Sequence, residues 1–105
     1  MPYEILIGHP LVLVAKGSLT VGAAAIGIPA DDLDKAKGGA MEVLLGVETD
    51  QVRLSPDTVA ATTTDMLFDV GDKVRLAGPT LCRQMTLIRV TGDSVVRFWV
   101  FGKAI

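Results

Sequence analysis

His9 is the only histidine and Cys82 the only cysteine among 105 residues, and these two side chains bound much of the chemistry open to the chain. His9 lies between Gly8 and Pro10, a turn context that brings an imidazole to a surface. One histidine without a second, and without a cysteine pair, falls short of the ligand set that zinc requires. A lone cysteine forms no internal disulfide and no cysteine-based zinc site. With no local base beside it, Cys82 reads as a small hydrophobe at the start of a strand, not as a nucleophile. Ser18, Ser55 and Ser94 sit in no nucleophile-elbow pattern. Asp31, Asp32 and Asp34 carry enough charge for a divalent cation, but they lack the ligand-and-glycine spacing of a calcium loop and suit the first turn of a helix equally well. The glycines of "KGGA" and "VGAAAIG" are followed by no Gly-Lys-Ser/Thr, so no phosphate loop is formed. These residues predict no catalysis, no metal and no cofactor.

The elements that would position any other site are strands. Runs such as "YEILI" and "LVLVA", parted by Gly8-His9-Pro10, are rich in β-formers. From Met41 onward "MEVLLGV", "QVRL", "DMLFDV", "DKVRLA", "RQMTLIRV" and "VVRFWVFG" alternate with the turn signals "SPDT", "VGD", "AGP" and "TGDS". Turns recurring at spacings of about 8–12 residues predict a small all-β barrel or sandwich, SH3-like in scale. The stretch 17–40 is looser. "GSLTVGAAAIG" reads as a flat strand or an extended arm, and Asp31-Asp32 early, Lys35 and Lys37 late, then Gly38-Gly39, is the charge order of a short helix near 30–37. The length predicts one β domain over 1–105.

Half of the residues are hydrophobic although only 5% are aromatic, and charged residues are 21%, below the usual quarter. So little charged surface predicts that part of it is buried in an assembly. No apolar run reaches the roughly 18 residues of a membrane-spanning helix; "ILIGHPLVLVA" and "VGAAAIGIP" are both broken by Gly or Pro. The opening "MPYE" carries an acid and no basic n-region, which predicts no secretory signal and synthesis in a reducing cytoplasm.

Residues 95–105, "VVRFWVFGKAI", carry the sharpest pattern. Gly92-Asp93 in "VTGDSV" reads as a two-residue hairpin turn opening with Gly, which would pair Val90 with Val95, Leu87 with Phe98 and Met85 with Val100. One face then holds Met85, Leu87, Arg89, Val96, Phe98 and Val100, the natural core. The other holds Thr86, Ile88, Val90, Val95, Arg97, Trp99 and Phe101, and it too is largely apolar. Either the N-terminal strands fold over this second face, or Trp99, Phe101 and Arg97 are interface anchors of the kind that dominate hot spots.

Charge is unevenly spread. Residues 1–72 hold four basic side chains against eleven acids, whereas residues 73–105 hold six against Asp93 alone. A chain so divided presents a basic part to an acidic partner, a second copy or nucleic acid, unless the two halves interleave in the fold. Arg75, Arg83, Arg89 and Arg97 beside Trp99 or Phe101 would suit a nucleic-acid surface with a stacking platform. The net charge of −2 and pI near 5.2 oppose a dedicated binder, leaving non-specific contact with DNA in a channel as the milder form.

The run "LFDVGDKVRLAGPTLCRQMTLIRVTGDSVVRFWVFGKA" resembles the C-terminal half of the head–tail joining, or stopper, proteins of tailed bacteriophages. The matching pieces are Gly71-Asp72, Arg89-Val90, Gly92-Asp93 and "RFWVFG". "GSLTVGAAAIGIP" followed by "EVLLGVETDQVRLSPDT" is similar to the opening of some phage tail-tube subunits, although this chain is short for one. Both likenesses imply a virion structural protein that forms rings with itself and meets other virion proteins. The interface would then be carried by Trp99, Phe101, Arg97, Arg89 and Arg75. A capsid decoration protein is one alternative; an SH3-like or OB-like adaptor for protein or nucleic acid is another, and an enzyme accessory or unusual small enzyme a third.

Overall fold

A computed structural model describes residues 11–56, 61–62 and 65–103. The expected strand "YEILI", the turn at Gly8-His9-Pro10 and most of "SPDT" lie outside these residues. In chain order the elements are β1 (Leu11–Val21), α1 (Ala30–Leu33), β2 (Lys37–Val47), β3 (Val52–Ser55), β4 (Met66–Phe68), β5 (Lys73–Ala77), α2 (Pro79–Gln84), β6 (Thr86–Arg89) and β7 (Ser94–Lys103). They form an antiparallel four-stranded sheet in the order β1-β7-β2-β5 and an antiparallel three-stranded sheet in the order β4-β3-β6. The fold is all-β, as expected, in a two-sheet form.

Strict alternation along β7 explains how the sheets share a core. Val96, Phe98 and Val100 are at most 2% exposed and join Leu19, Val43, Leu45, Val52, Leu54 and Leu87 in one buried cluster. Side chains from both sheets therefore bury one another, and each full burial of a Val, Leu or Phe is worth about 1.5–3 kcal/mol. Ile26, between β1 and α1, forms an isolated bridge to Leu87 of the small sheet. The stretch 17–40 thus finishes β1, touches the small sheet, turns through α1 and opens β2.

The expected hairpin of residues 85–101 does not form. β6 pairs with β3, Leu87 facing Leu54 and Arg89 facing Val52, while β7 inserts between β1 and β2 in the other sheet. A two-residue turn opening with Gly needs φ > 0 at that Gly, and the positive-φ glycines are Gly38, Gly39, Gly71 and Gly78, not Gly92. Gly92 serves a different need: a Cβ there would lie 2.6 Å from a carboxylate oxygen of Asp50. Residues 90–93 cross between the sheets, and buried Ser94 fixes the crossing by donating to the Asp50 carbonyl at 2.7 Å. The two-face division of β7 survives, because period-two alternation does not depend on which strands flank it.

A second correction concerns Cys82, expected at the start of a strand. It lies in α2, which begins at Pro79 after Gly78 with φ 105°. Proline is suited to the first helical position because its missing N–H costs nothing there. The short helix near 30–37 is present as α1 but stops at Leu33; Gly38 and Gly39, both at positive φ, instead let β2 bulge as its register against β7 shifts between Lys37 and Glu42.

Gly102 of β7 is the tightest backbone approach, since a Cβ there would stand 2.2 Å from the Cβ of Ala36. Gly102→Ala is expected to destabilise the fold by about 1–3 kcal/mol, read as a lower urea midpoint. Gly46→Ala, whose Cβ meets its nearest neighbour at 3.5 Å, should stay within about 1 kcal/mol of the parent.

Candidate functional site

The outward face of the four-stranded sheet collects the side chains that the alternation leaves over. Three cross-strand rows run over it from β1 through β7 and β2 to β5. The first is Lys16, Trp99, Leu44 and Arg75; the second is Leu13, Phe101, Glu42 and Ala77; the third is Ser18, Arg97, Gly46 and Lys73. Cross-strand neighbours on one face touch, so Trp99 and Phe101 form a central aromatic pair with Leu44 and Leu13 beside them. Both aromatics are half-buried, and Arg97 is exposed. β7 makes its main contacts with β1 and β2 in its own sheet, and no described helix is among them. Gly46 leaves room for the indole, whose ring carbons would lie 3.5 and 3.8 Å from a Cβ there, with the Lys73 Nζ at 3.8 Å from the same point. The cation therefore stands beside the ring. An open depression of about 410 Å³ lies between β1 and β7, lined by Lys16, Gly17, Ser18, Arg97, Phe98 and Trp99.

Of the residues expected at an interface, Trp99, Phe101, Arg97 and Arg75 meet on this face, and Arg89 does not. It ends β6 in the small sheet and binds Asp93 at 2.5 Å. Arg83, in α2, binds Asp34. The four arginines line no common surface, because each is tied to its own carboxylate: Arg75 to Glu42 at 2.8 Å and Arg97 to Glu48 at 3.0 Å complete the set. Three of these pairs join the acid-rich half of the chain to the basic half, so the division seen along the sequence interleaves in space. Lys16, Leu44, Gly46 and Lys73 escaped the sequence reading, since nothing local tells which strands flank β7.

The remaining candidates have structural duties. Asp32 binds Lys35 at 3.2 Å, and Asp34 is engaged by Arg83. Among the described residues no three His, Cys, Asp or Glu side chains converge as metal ligands. His9 lies outside the described residues. Ser94 is fully buried under Asp50, and Ser55 is 2% exposed. Cys82 is 1% exposed and directs its thiol to the Leu76 carbonyl at 3.7 Å. Burial first, and the Glu42 carboxylate second, push its pKa up from 9.0 to about 11, against the smaller opposing pull of a backbone hydrogen bond and of Arg83.

Two outcomes follow for this region. The folded state holds the Cys82 proton more tightly than the unfolded state, so its contribution is whole below pH 9.0 and is lost as pH rises toward 11. The loss should be no more than about 3 kcal/mol, read by urea melts across that range, and a thiol reagent at neutral pH should label Cys82 only on unfolding. On the outer face, Arg97→Ala removes an exposed ion pair and should change stability by less than about 1 kcal/mol. Phe98→Ala, on the inner face of the same strand, should cost about 3–5 kcal/mol.

Comparison with models of known protein families, with curated proteins and with solved structures finds no match to this chain. Its function is read from its own surface.

Proposed function

We propose that this chain is a non-enzymatic structural subunit of a tailed-phage-like virion, assembling into rings at the head–tail junction or in the tail. The observation that carries the reading is the outer face of β7. Trp99 and Phe101 are only partly buried at the centre of the larger sheet, with Leu13 48% exposed beside them. Aromatic and arginine side chains at the centre of a patch, with charges at its rim, are the composition of a protein interface. The resemblance of the C-terminal half to stopper proteins and of the N-terminal half to tail-tube subunits supports the same direction. A capsid decoration subunit would use the same kind of surface. The partners of this reading are further copies of the chain and other virion proteins, with non-specific DNA contact where the face lines a channel.

A second reading, an SH3-like or OB-like adaptor for protein or nucleic acid, is favoured in its nucleic-acid form by the lysine near the partly buried indole. Light scattering and negative-stain microscopy of the purified chain separate the two. Rings are expected, and Trp99→Ala with Phe101→Ala should abolish them while the circular dichroism and melting point stay near the parent's. A chain that remains monomeric, and retards single-stranded DNA only while Trp99 is present, overturns the virion reading in favour of the adaptor.

A further inference from the structure

Outside the internal ion pairs, three lysines and three aspartates gather in two separate groups. Lys16, Lys73 and Lys103 make no ion pair among the described residues, and all three stand on the outer face of the large sheet, around Trp99 and Phe101. Asp69 and Asp72 lack a cationic partner among the described residues, and Asp65 meets Arg53 only through its backbone carbonyl, to which the guanidinium donates at 3.0 Å. Their carboxylates accept instead from the backbone N–H groups of Thr62, Val70 and Asp69. These aspartates flank β4, the outermost strand of the small sheet, and the turn after it. The same stretch exposes Met66 by 50%, Leu67 by 48% and Val70 by 50%.

We infer that these two surfaces are the two halves of one contact: the lysine-rimmed aromatic face of one copy receives β4 and the β4–β5 turn of a second copy. The inference rests on the assembling reading above and names its interface. Each surface combines apolar side chains with an excess of one sign of unpaired charge, three lysines on the face and three aspartates against Arg53 beside β4, and the two excesses are opposite. Neither complements itself, because face against face sets lysine against lysine, and turn against turn sets aspartate against aspartate. The contact is therefore head-to-tail, which closes into a ring or grows into a filament. Nucleic acid is the poorer occupant. Glu42 beside Phe101 and Glu48 on Arg97 put two carboxylates on the platform, and they already engage the two arginines that would hold phosphate.

Two variants of the full chain test it. The face variant carries Lys16→Glu and Lys103→Glu. The turn variant carries Asp69→Asn, Val70→Lys and Asp72→Asn, which keeps a side-chain oxygen for the two turn hydrogen bonds. Circular dichroism and urea melts check that both fold. Each should weaken self-association about tenfold or more by sedimentation. Mixed in equal amounts they should form a heterodimer that grows no further, because one intact face meets one intact turn. Trp99, the only tryptophan, should shift its emission to the blue in that mixture alone. Assembly of the parent should weaken with added salt.

Loss of assembly in the face variant only, without rescue on mixing, overturns the proposed contact in favour of a two-fold face-to-face dimer and leaves the assembling reading standing. Rings formed normally by both variants do the same in favour of another interface. A parent chain that is monomeric up to its solubility limit overturns the contact. If oligothymidylate also quenches its Trp99 equally in the parent and the turn variant, the assembling reading falls with it.

Discussion

The structure depends on one strand being hydrogen-bonded along both edges. β7 lies between β1 and β2, its register running from Ser94 against Val21 to Lys103 against Leu11 on one side and along Val47 to Lys37 on the other. A strand held this way cannot slip by one residue without turning Val96, Phe98 and Val100 to the outside. The backbone must also accommodate what those side chains demand. A Cβ at Gly17 would stand 2.8 Å from the Phe98 ring, and the one at Gly102 would overlap Ala36. Glycine at these two positions lets a large ring and a neighbouring chain come close to the sheet, where any other residue would push them off.

The surface follows from the same constraint. Alternation commits every second residue of β7 to the side away from the core, so a strand with apolar side chains at nearly every position must show some of them outward. Trp99 and Phe101 are the remainder. Their neighbours from β1 and β2 are long enough to cover part of each ring but not all of it, and Gly46 covers nothing. A soluble sheet face with this composition would ordinarily be rich in Thr, Lys and Glu. Here Arg97 and Glu42 stand beside the aromatics on the two inner strands, bound to Glu48 and Arg75.

Much of this was legible from the sequence. Within the described residues the strand runs, apart from "RQM", and the "VGD" turn are where their residue types put them, and the in-or-out assignment of β7 needed only period two. Pairing was not legible. "VTGDSV" has the composition of a hairpin, yet Gly92 does not take the positive φ that such a turn requires. Which strands flank β7 is decided by contacts far apart in the chain, as Leu19 against Val96, 77 residues on, shows, and no local signal carries that. Arg89 stands apart from Arg97 for the same reason, since its strand pairs with β3 in the small sheet, a partner that no local signal names. α2 was missed although Pro79 after Gly78 is a recognisable helix start, because six residues are too few to show a helical period.

The division of charge along the chain has a physical outcome that the sequence could not display. Arginine forms well-directed, often bidentate bonds to carboxylates, whereas lysine is a mobile point charge. In this fold Arg75, Arg83, Arg89 and Arg97 are each bound to an acid, three of them across the two halves of the chain. These exposed pairs add little stability singly. They do spend acids that would otherwise balance the lysines, so Lys16, Lys73 and Lys103 are left around the aromatic face while Asp65, Asp69 and Asp72 are left around β4. In the proposed contact, the lysines around the aromatic face meet the aspartates around β4 of a second copy. The pairing of the arginines within the chain is thus what sharpens the difference between the two surfaces.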